Sequence, residues 1–319
     1  MNVTVLVLDG AFDSGLATVL DALSTANELA QMCGVAAPRF EVALAGVRPE
    51  VRSALGMRVP VRPLADCPPP DCVILPAVGP KMPEPLVEAL GRPDIADAIA
   101  YLRQCQAAGV QIGAACIGTF VLAEGGLLDG HDATTTWWLV PLFRQRYPRV
   151  RLDPQRILVP SGRLVTAGAA LSHIDLALWL IRQHSPELAA LVARYLIVDA
   201  RPSQSAYMIA DHLAHADPLI ERFDRWTREH LHRPISLDEA ARALATSKRT
   251  LSRRLAEVLG KTPLGYIQDL RAERAVHLLK TSAHSVDRIA ELVGYADGVT
   301  LRALLRRRLG VGVRELRRN

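Results

Sequence analysis

The chain has 319 residues, which is enough for two domains with separate hydrophobic cores. Half of its residues are apolar, yet no apolar run approaches the roughly 18 residues of a membrane-spanning helix, so no membrane span is expected. No signal peptide is expected before the first strand-like run, and the cysteines are odd in number and lack metal-ligand spacing. A reduced cytoplasmic chain without metal or cofactor is therefore expected, its cysteines being Cys33, Cys67, Cys72, Cys105 and Cys116.

The positive charge is concentrated toward the C-terminus. The net charge of the whole chain is +5. From Asp217 onward there are 21 Lys and Arg against 13 Asp and Glu, a net charge of +8, whereas the preceding residues carry −3. A basic module is typical of proteins that contact nucleic-acid phosphates, but solvated helix faces are also basic. The pattern of helices has to decide between these two interpretations.

The first 200 residues alternate short β-branched runs with amphipathic stretches. The runs predict strands at 3–8, 40–45, 72–75, 110–114, 157–159 and 164–167. The amphipathic stretches predict helices at 16–31, 95–107, 119–124, 139–147, 174–183 and 187–196. Strands that alternate with helices indicate an α/β layered domain with a mostly parallel sheet.

A strand, a sharp turn and a helix are predicted around Cys116, in the run Gln111-Ile-Gly-Ala-Ala-Cys-Ile-Gly-Thr-Phe. Small neighbours allow a strained elbow at this point, and a helix N-terminus behind the sulfur lowers the pKa of a thiol. A nucleophilic cysteine is one interpretation of the pattern. A small buried cysteine without chemistry is the other.

This half of the chain resembles the PfpI-like, class I glutamine-amidotransferase-like domain. The likeness lies in the runs Cys116-Ile-Gly-Thr-Phe-Val-Leu-Ala-Glu-Gly-Gly-Leu-Leu-Asp-Gly, Ala133-Thr-Thr-Thr-Trp and Thr166-Ala-Gly-Ala-Ala-Leu-Ser-His-Ile-Asp. It implies a flavodoxin-like sandwich. Family enzymes pair the elbow cysteine with a histidine where this chain has Thr136, and a hydroxyl does not take a thiol proton at neutral pH. No catalytic residue is therefore expected, and Cys116 is interpreted as a vestigial elbow.

Two histidines are weighed as replacements for the missing base. His131 lies at a turn five residues before Thr136 and would serve only through a shifted loop. His173 lies near a strand-to-helix junction and is interpreted as an N-cap or a group behind the site. In the loop where the resemblance implies oxyanion-hole amides, this chain has Ala77-Val78-Gly79.

A non-catalytic ligand pocket is predicted beyond the carboxyl ends of the strands, where open α/β sheets bind ligands. Its lining is mostly apolar with few polar groups, as in sites for small molecules. The predicted lining residues are Asp13, Val78, Gly79, Cys116, Ile117, Thr136, Trp137 and Ala169. A pocket for a small effector and a vestigial pocket used only for dimer packing remain alternatives.

The segment Asp199-Ala-Arg-Pro-Ser-Gln-Ser-Ala is polar and rich in helix-breaking residues, which is typical of a domain boundary. A helix is predicted from about Ser205, and Asp217 is predicted to cap another helix that continues through His230. We therefore predict an α/β domain over residues 1–200, a linker over 201–216 and an all-α domain over 217–319.

Residues 235–318 contain two similar units, each with a short apolar-periodic helix, a break and a second helix rich in arginine. This is the pattern of a helix-turn-helix, whose second helix lies in the major groove of DNA. Ser236 and Glu239 predict a capping box, Ser247 an N-cap, and Thr262 the cap of a connecting helix. That helix, roughly 18 residues and about 27 Å long, suits two recognition helices in grooves about 34 Å apart.

These units resemble the DNA-binding domain of the AraC/XylS family of transcription regulators. The matching runs are Leu251-Ser-Arg-Arg-Leu, Gly260-Lys-Thr-Pro, Arg271-Ala-Glu-Arg-Ala and Ile289-Ala-Glu-Leu-Val-Gly-Tyr. Leu301 and Leu305 stand where the family usually has aromatic residues, and Val313 stands where it usually has proline. These departures concern only the second unit.

The residues that should contact DNA lie on the two recognition helices. Arg249, Ser252 and Arg253 share one helical face, while Leu251 and Leu255 face the core. Their positions match base-reading positions of AraC-type domains. The predicted DNA-binding residues are Lys248, Arg249, Thr250, Ser252 and Arg253 in the first unit, and Gly298, Val299, Thr300, Arg302 and Arg306 in the second. Phosphate contacts are predicted for Arg306, Arg307 and Arg308, with partly solvated charge as the alternative.

A PfpI-like domain followed by an AraC-type domain is similar to the GlxA-type transcriptional regulators. The resemblance implies a sequence-specific regulator that binds double-stranded operator DNA, with an N-terminal domain that senses a small effector or forms a homodimer. RNA polymerase is a further partner expected of such a protein. Two alternatives remain: a cysteine-dependent hydrolase or amidotransferase with a DNA-targeting module, and a nonspecific nucleoid protein.

Overall fold

The computed structural model describes residues 1–199, 201, 203–204, 217–259, 261–309 and 312–318. The chain divides into two compact units, Met1–Tyr207 and Met208–Asn319. Within the predicted linker, Arg201, Ser203 and Gln204 form hydrogen bonds inside the first unit. Residue 202, residues 205–216 and the helix predicted from Ser205 lie outside the described residues. The predicted domain boundaries therefore stay predictions.

The described part of the first unit has a central sheet of seven strands, accompanied by two small two-stranded sheets. In chain order the strands are β1 (Asn2–Leu6), β2 (Glu41–Gly46), β3 (Glu50–Arg52), β4 (Arg58–Pro60), β5 (Arg62–Pro63), β6 (Cys72–Leu75), β7 (Gln111–Ala115), β8 (Asp132–Ala133), β9 (Arg151–Leu152), β10 (Leu158–Ser161) and β11 (Leu164–Ala167). The central order is β10-β11-β7-β6-β1-β2-β5. Every neighbouring pair in it is parallel except the antiparallel edge pair β10–β11.

Helices cover both faces of this sheet. They are α1 (Asp13–Cys33), α2 (Pro83–Leu90), α3 (Pro93–Ala107), α4 (Gly118–Glu124), α5 (Val140–Arg146), α6 (His173–His184) and α7 (Pro186–Tyr195). Alternate residues of one strand enter opposite cores: Val3 and Val5 pack in one apolar cluster, and Leu6 packs in the other. The predicted α/β sandwich with a mostly parallel sheet is confirmed. Helix α2 and the short strands β3, β4, β5, β8 and β9 were not predicted.

The described part of the second unit is helical. Its helices are α8 (Pro218–His230), α9 (Leu237–Ala243), α10 (Lys248–Leu259), α11 (Pro263–Thr281), α12 (Val286–Leu292), α13 (Gly298–Leu309) and α14 (Val313–Arg318). Leu251 and Leu255 of α10 are fully buried, as predicted. Leu301 and Leu305 of α13 are also fully buried, among Ala275, Leu279 and Ile289. The two leucines that replace aromatic residues therefore remain core residues.

In the second unit the predicted helix caps are confirmed except for one. Ser247 accepts a hydrogen bond from the Thr250 amide at 3.1 Å, and Thr262 accepts one from the Gly265 amide at 3.1 Å. The capping box of α9 is wrong. Ser236 accepts instead from the Asp238 amide, at 3.3 Å, and the Glu239 carboxylate, which would complete the box, is held by Arg233 at 2.5 and 3.1 Å.

Candidate functional site

The predicted elbow is present between β7 and α4. Cys116 has a φ of 55°, in the left-handed region that a residue with a side chain rarely adopts. Its side chain is buried, with 3% of the residue exposed. Burial raises the pKa of the Cys116 thiol above its ordinary value, although the amides of Ala170 and Ile117 and the hydroxyl of Thr136 favour the thiolate. The sulfur is therefore positioned like a nucleophile but is held as the neutral thiol.

The histidine that lies near the elbow is occupied on both ring nitrogens. His173 Nε2 accepts a hydrogen bond from the Ala77 amide at 3.0 Å, and Nδ1 donates to the carbonyl oxygen of Ala170. Burial lowers the pKa of His173 to about 4, so the ring is neutral at neutral pH. His173 is the first residue of α6 and Ser172 is its N-cap, so the prediction of His173 as an N-cap is wrong.

The other groups considered for catalysis also have partners. His131 lies with its Nδ1 3.1 Å from the hydroxyl of Ser161. The Ala77 amide, which was considered for an oxyanion hole, is bonded to His173, and the Gly79 amide donates to the Gly10 carbonyl at 3.2 Å. Both amides are therefore used within the fold.

Most of the residues predicted to line the pocket are buried. Asp13 begins α1 and accepts a hydrogen bond from the Leu55 amide at 3.0 Å, so that oxygen points toward a loop. Five lining residues are buried, namely Val78, Cys116, Ile117, Thr136 and Trp137. Three remain partly exposed, namely Asp13, Gly79 and Ala169. A groove of about 480 Å³ lies elsewhere on this unit, lined by Thr18, Asp21, Leu171, Ile174, Leu196, Ile197, Val198, Asp199 and Arg201.

The first recognition helix, α10, presents cationic side chains to solvent. Lys248, Arg249 and Arg253 are exposed, and Thr250 and Ser252 are partly exposed. Arg249 forms no hydrogen bond or ion pair with the described residues. Arg253 pairs with Glu257 at 2.7 Å and Lys248 with Asp238 at 2.9 Å, and all four partners are exposed. Exposed ion pairs of this kind are weak, so both cations can leave them to contact another molecule.

The second recognition helix, α13, is fixed at its N-terminus by two aspartates that the sequence interpretation missed. Asp297 accepts a hydrogen bond from the Thr300 amide at 2.7 Å, and Asp287 accepts one from the Gly298 amide at 2.9 Å. A Cβ at position 298 would lie 2.6 Å from the Asp287 carboxylate, so glycine is needed there. Gly298 is buried, whereas Val299 is 70% exposed, which leaves Val299 and Thr300 at the surface of this end.

The arginines at the end of α13 differ in their partners. Arg302 and Arg306 are exposed and form no hydrogen bond or ion pair with the part of the chain that the structure describes. Arg308 instead contacts α11, with 3.0 Å to the Asp269 carboxylate and 2.8 Å to the Gln268 side chain. Arg308 therefore joins two helices, which argues against the phosphate contact predicted for it. Arg307 lies 3.4 Å from Gln268.

The described residues contain neither a metal-binding group nor a membrane-spanning helix. No group of three or more His, Cys, Asp or Glu side chains there is arranged to hold a metal ion. No helix among them is long and apolar enough to cross a membrane.

Comparison with known proteins supports the division seen in the structure. Residues 240–319 match the family model described as Helix-turn-helix domain. The chain is 27% identical over 223 residues to the HTH-type transcriptional regulator GbdR of Pseudomonas aeruginosa, covering 69% of this chain and 60% of GbdR. It is 27% identical over 214 residues to the HTH-type transcriptional regulator GlxA of Rhizobium meliloti, covering 61% of each chain.

A solved structure shows the fold of the first unit. The THiJ/PfpI family protein from Pseudomonas syringae superposes with a TM-score of 0.51 at 16% identity, covering 63% of this chain and 76% of that protein. The aligned part thus spans about three-fifths of the two regulators and most of the PfpI-type protein. The predicted resemblances are confirmed: the first unit has the fold of a PfpI-type protein, residues 240–319 match a helix-turn-helix domain, and the chain is similar to the regulator GlxA over 214 residues.

Proposed function

We propose that the chain is a sequence-specific transcriptional regulator that binds double-stranded operator DNA. The observation that carries this proposal is the pair of helix-turn-helix units, whose second helices expose Arg249, Arg302 and Arg306 without a hydrogen bond or ion pair to the described residues. Guanidinium groups that are free of ion pairs are suited to guanine edges and to phosphates. Helix α11, with 19 residues and thus a length of about 28 Å, connects the two helix-turn-helix units.

Selection of binding sites from random double-stranded DNA tests this function. A regulator should enrich one sequence, and that sequence should outcompete bulk DNA for the full-length protein. The expected preference is about a thousandfold or more, as for other specific DNA-binding proteins. Enrichment of no sequence would instead support a nonspecific nucleoid protein.

We propose that the first unit has no catalytic activity. Three features support this: the raised pKa of Cys116, Thr136 where family enzymes have a histidine, and the engagement of both His173 nitrogens. The strained elbow is the one observation that favours the alternative, a cysteine-dependent hydrolase or amidotransferase with a DNA-targeting module. Assays of the purified protein on peptide and glutamine substrates distinguish the two.

We propose that residues 1–200 bind a small effector near Cys116 and also hold two copies of the chain together. Dimers with twofold symmetry are the commonest oligomers of soluble proteins. A dimer would join two DNA-binding modules, and a short tether raises the local concentration of the second module to about the millimolar range. RNA polymerase is the proposed protein partner at the promoter, and the cytoplasm the proposed location.

The dimer proposal is tested by comparing the full-length protein with residues 217–319 on one selected paired site. The full-length protein should bind this site far more tightly than the fragment does, because one tether serves two modules. Equal affinities, or a full-length monomer at the working concentration, would contradict the proposed dimer.

A further inference from the structure

Gln204 is a buried polar residue just before the chain leaves the described part of the first unit. Only 2% of it is exposed. Its Nε2 donates to the carbonyl oxygens of Pro154 and Thr135 at 2.9 and 3.0 Å, and its Oε1 accepts from the Ala169 amide at 3.0 Å. The backbone amide of Gln204 donates to the Gln155 carbonyl at 2.8 Å. The carboxamide is therefore saturated on both its donor and acceptor sides.

The fold leaves room for this carboxamide at Gly168. A Cβ at position 168 would lie 2.5 Å from Gln204 Oε1 and 2.8 Å from its Cδ. Real Cβ atoms do not approach other heavy atoms so closely, so any residue other than glycine would displace Gln204. Gly168 and the Gln204 side chain are thus matched to each other.

Two of the partners of the carboxamide, Thr135 and Ala169, are linked to the elbow. Thr135, whose carbonyl accepts from Gln204, donates its hydroxyl to the Cys116 carbonyl at 2.8 Å. Ala169, whose amide donates to Gln204, precedes Ala170, whose amide faces the Cys116 sulfur. Two separate routes, one to the carbonyl oxygen and one to the sulfur, therefore connect Gln204 with Cys116.

We propose that Gln204 is a latch that couples the elbow pocket to the chain segment leading out of the first unit. A small molecule bound against Cys116, Thr136 and Ala169 would displace either the Thr135 carbonyl or the Ala169 amide, which hold the carboxamide. Release of Gln204 would then free its backbone amide from the Gln155 carbonyl. The latch rests on the proposed function, in which this unit senses an effector for the DNA-binding unit.

Coupling of this kind acts in both directions. A ligand that favours the released state of Gln204 shifts the population toward it, and releasing Gln204 by mutation must open the elbow. The second direction can be measured without knowing the effector. Cys116 is buried, so a thiol reagent reaches it only when the elbow opens locally.

The test measures the rate at which N-ethylmaleimide labels each cysteine of the full-length protein, read out by peptide mass spectrometry. Gln204→Glu keeps the side-chain shape but places carboxylate oxygens against the carbonyls of Pro154 and Thr135. Cys116 should then react about tenfold faster, a factor that corresponds to about 1.4 kcal/mol. Ser203→Ala is the matched control, since it removes the neighbouring 2.9 Å bond to the Gln155 carbonyl and leaves the elbow contacts intact.

Cys72 and Cys105, which are buried in the two apolar clusters, report on the rest of the fold. Faster labelling of Cys116 alone supports the latch. An unchanged Cys116 rate overturns it, and so does equal acceleration at all three sites, which would mean that Gln204 only holds the fold together. If Gln204→Glu does not yield folded protein, Gln204→Met removes the same hydrogen bonds without adding charge and is judged by the same criteria.

The regulatory part of the proposal has its own readout. On the DNA site obtained by selection, the affinity of Gln204→Glu should differ from that of the unmodified chain by about fivefold or more, and Ser203→Ala should not differ. Elbow opening without a change of DNA affinity overturns the regulatory role. Failure of the unmodified protein to select any DNA site refutes the proposed function instead, and the labelling result still stands.

Discussion

Replacing Arg249 by alanine should weaken binding to the selected DNA site and also relax its preference for one base pair. Arg249 is the second residue of α10, exposed and without a hydrogen bond or ion pair to the residues that the structure describes. Its guanidinium therefore reaches DNA without first breaking a contact in the protein. Arg253, one turn further, has to leave Glu257, although an exposed pair of this spacing is weak.

The expected size follows from this geometry. A bidentate arginine–guanine contact discriminates against the wrong base by about 1–3 kcal/mol, which is about 5- to 150-fold in affinity. The effect of Arg249→Ala should thus fall in this range at one base position. Arg253→Ala should have the smaller effect, because part of the binding energy of Arg253 is offset by the lost ion pair.

The assay is a competition between the selected site and its single-base variants, for each protein variant at fixed salt. Arg225→Ala is a charge-matched control, because Arg225 lies on α8, outside both helix-turn-helix units. It should weaken all sequences slightly and equally. The same uniform weakening in Arg249→Ala would assign Arg249 to a phosphate, and no weakening at all would place base reading on another part of the surface.

Three further predictions concern other parts of the chain. Arg306→Ala should lower the slope of log K against log salt by about 1, because an exposed phosphate contact is lost. Arg308→Ala should leave that slope unchanged and lower the free energy of unfolding in urea by about 1 kcal/mol. An unchanged slope in Arg306→Ala would refute the phosphate contact of Arg306. Peptide and glutamine hydrolysis should stay at background and be unaffected by Cys116→Ala, so turnover that disappears in this variant would reveal an enzyme. The folded-state pKa of His173, about 4 against an ordinary 6.5, means that the unfolded state binds the extra proton between these values. Stability should therefore be fully present above about pH 6.5 and fall toward pH 4 by up to about 1.4 kcal/mol per unit, a slope that His173→Gln should lack; parallel curves for the two proteins would contradict this.

The elements that the sequence predicted are those whose runs of apolar residues are long enough to show a repeating pattern. All six predicted strands of the first unit exist within two residues of their predicted ends, because each carries several apolar residues facing one of the two cores. Strands of two or three residues, such as Arg62–Pro63, are too short to show a period. The capping box at Ser236 failed for another reason: Glu239 prefers Arg233, which competes for its carboxylate.

The candidate sites could be predicted only where the chemistry lies within one segment. Cys116 and Arg249 stand out because the motif around each is continuous in sequence. The environment of Gln204 depends on residues 35 to 69 positions away, such as Ala169 and Thr135, which no local pattern reveals. The Asp297 cap, in contrast, was readable from an aspartate three residues before Thr300.

The closed elbow has a consequence for the affinity of any effector. A pocket whose lining residues Cys116, Thr136 and Trp137 are buried binds a ligand only in the fraction of molecules that is open. The apparent dissociation constant is then the intrinsic one divided by that fraction. Loosening the latch at Gln204 raises the open fraction, so the same substitution that exposes Cys116 should also tighten effector binding. A closed pocket that becomes more receptive when its latch is broken is the behaviour that distinguishes a sensor from a vestigial core.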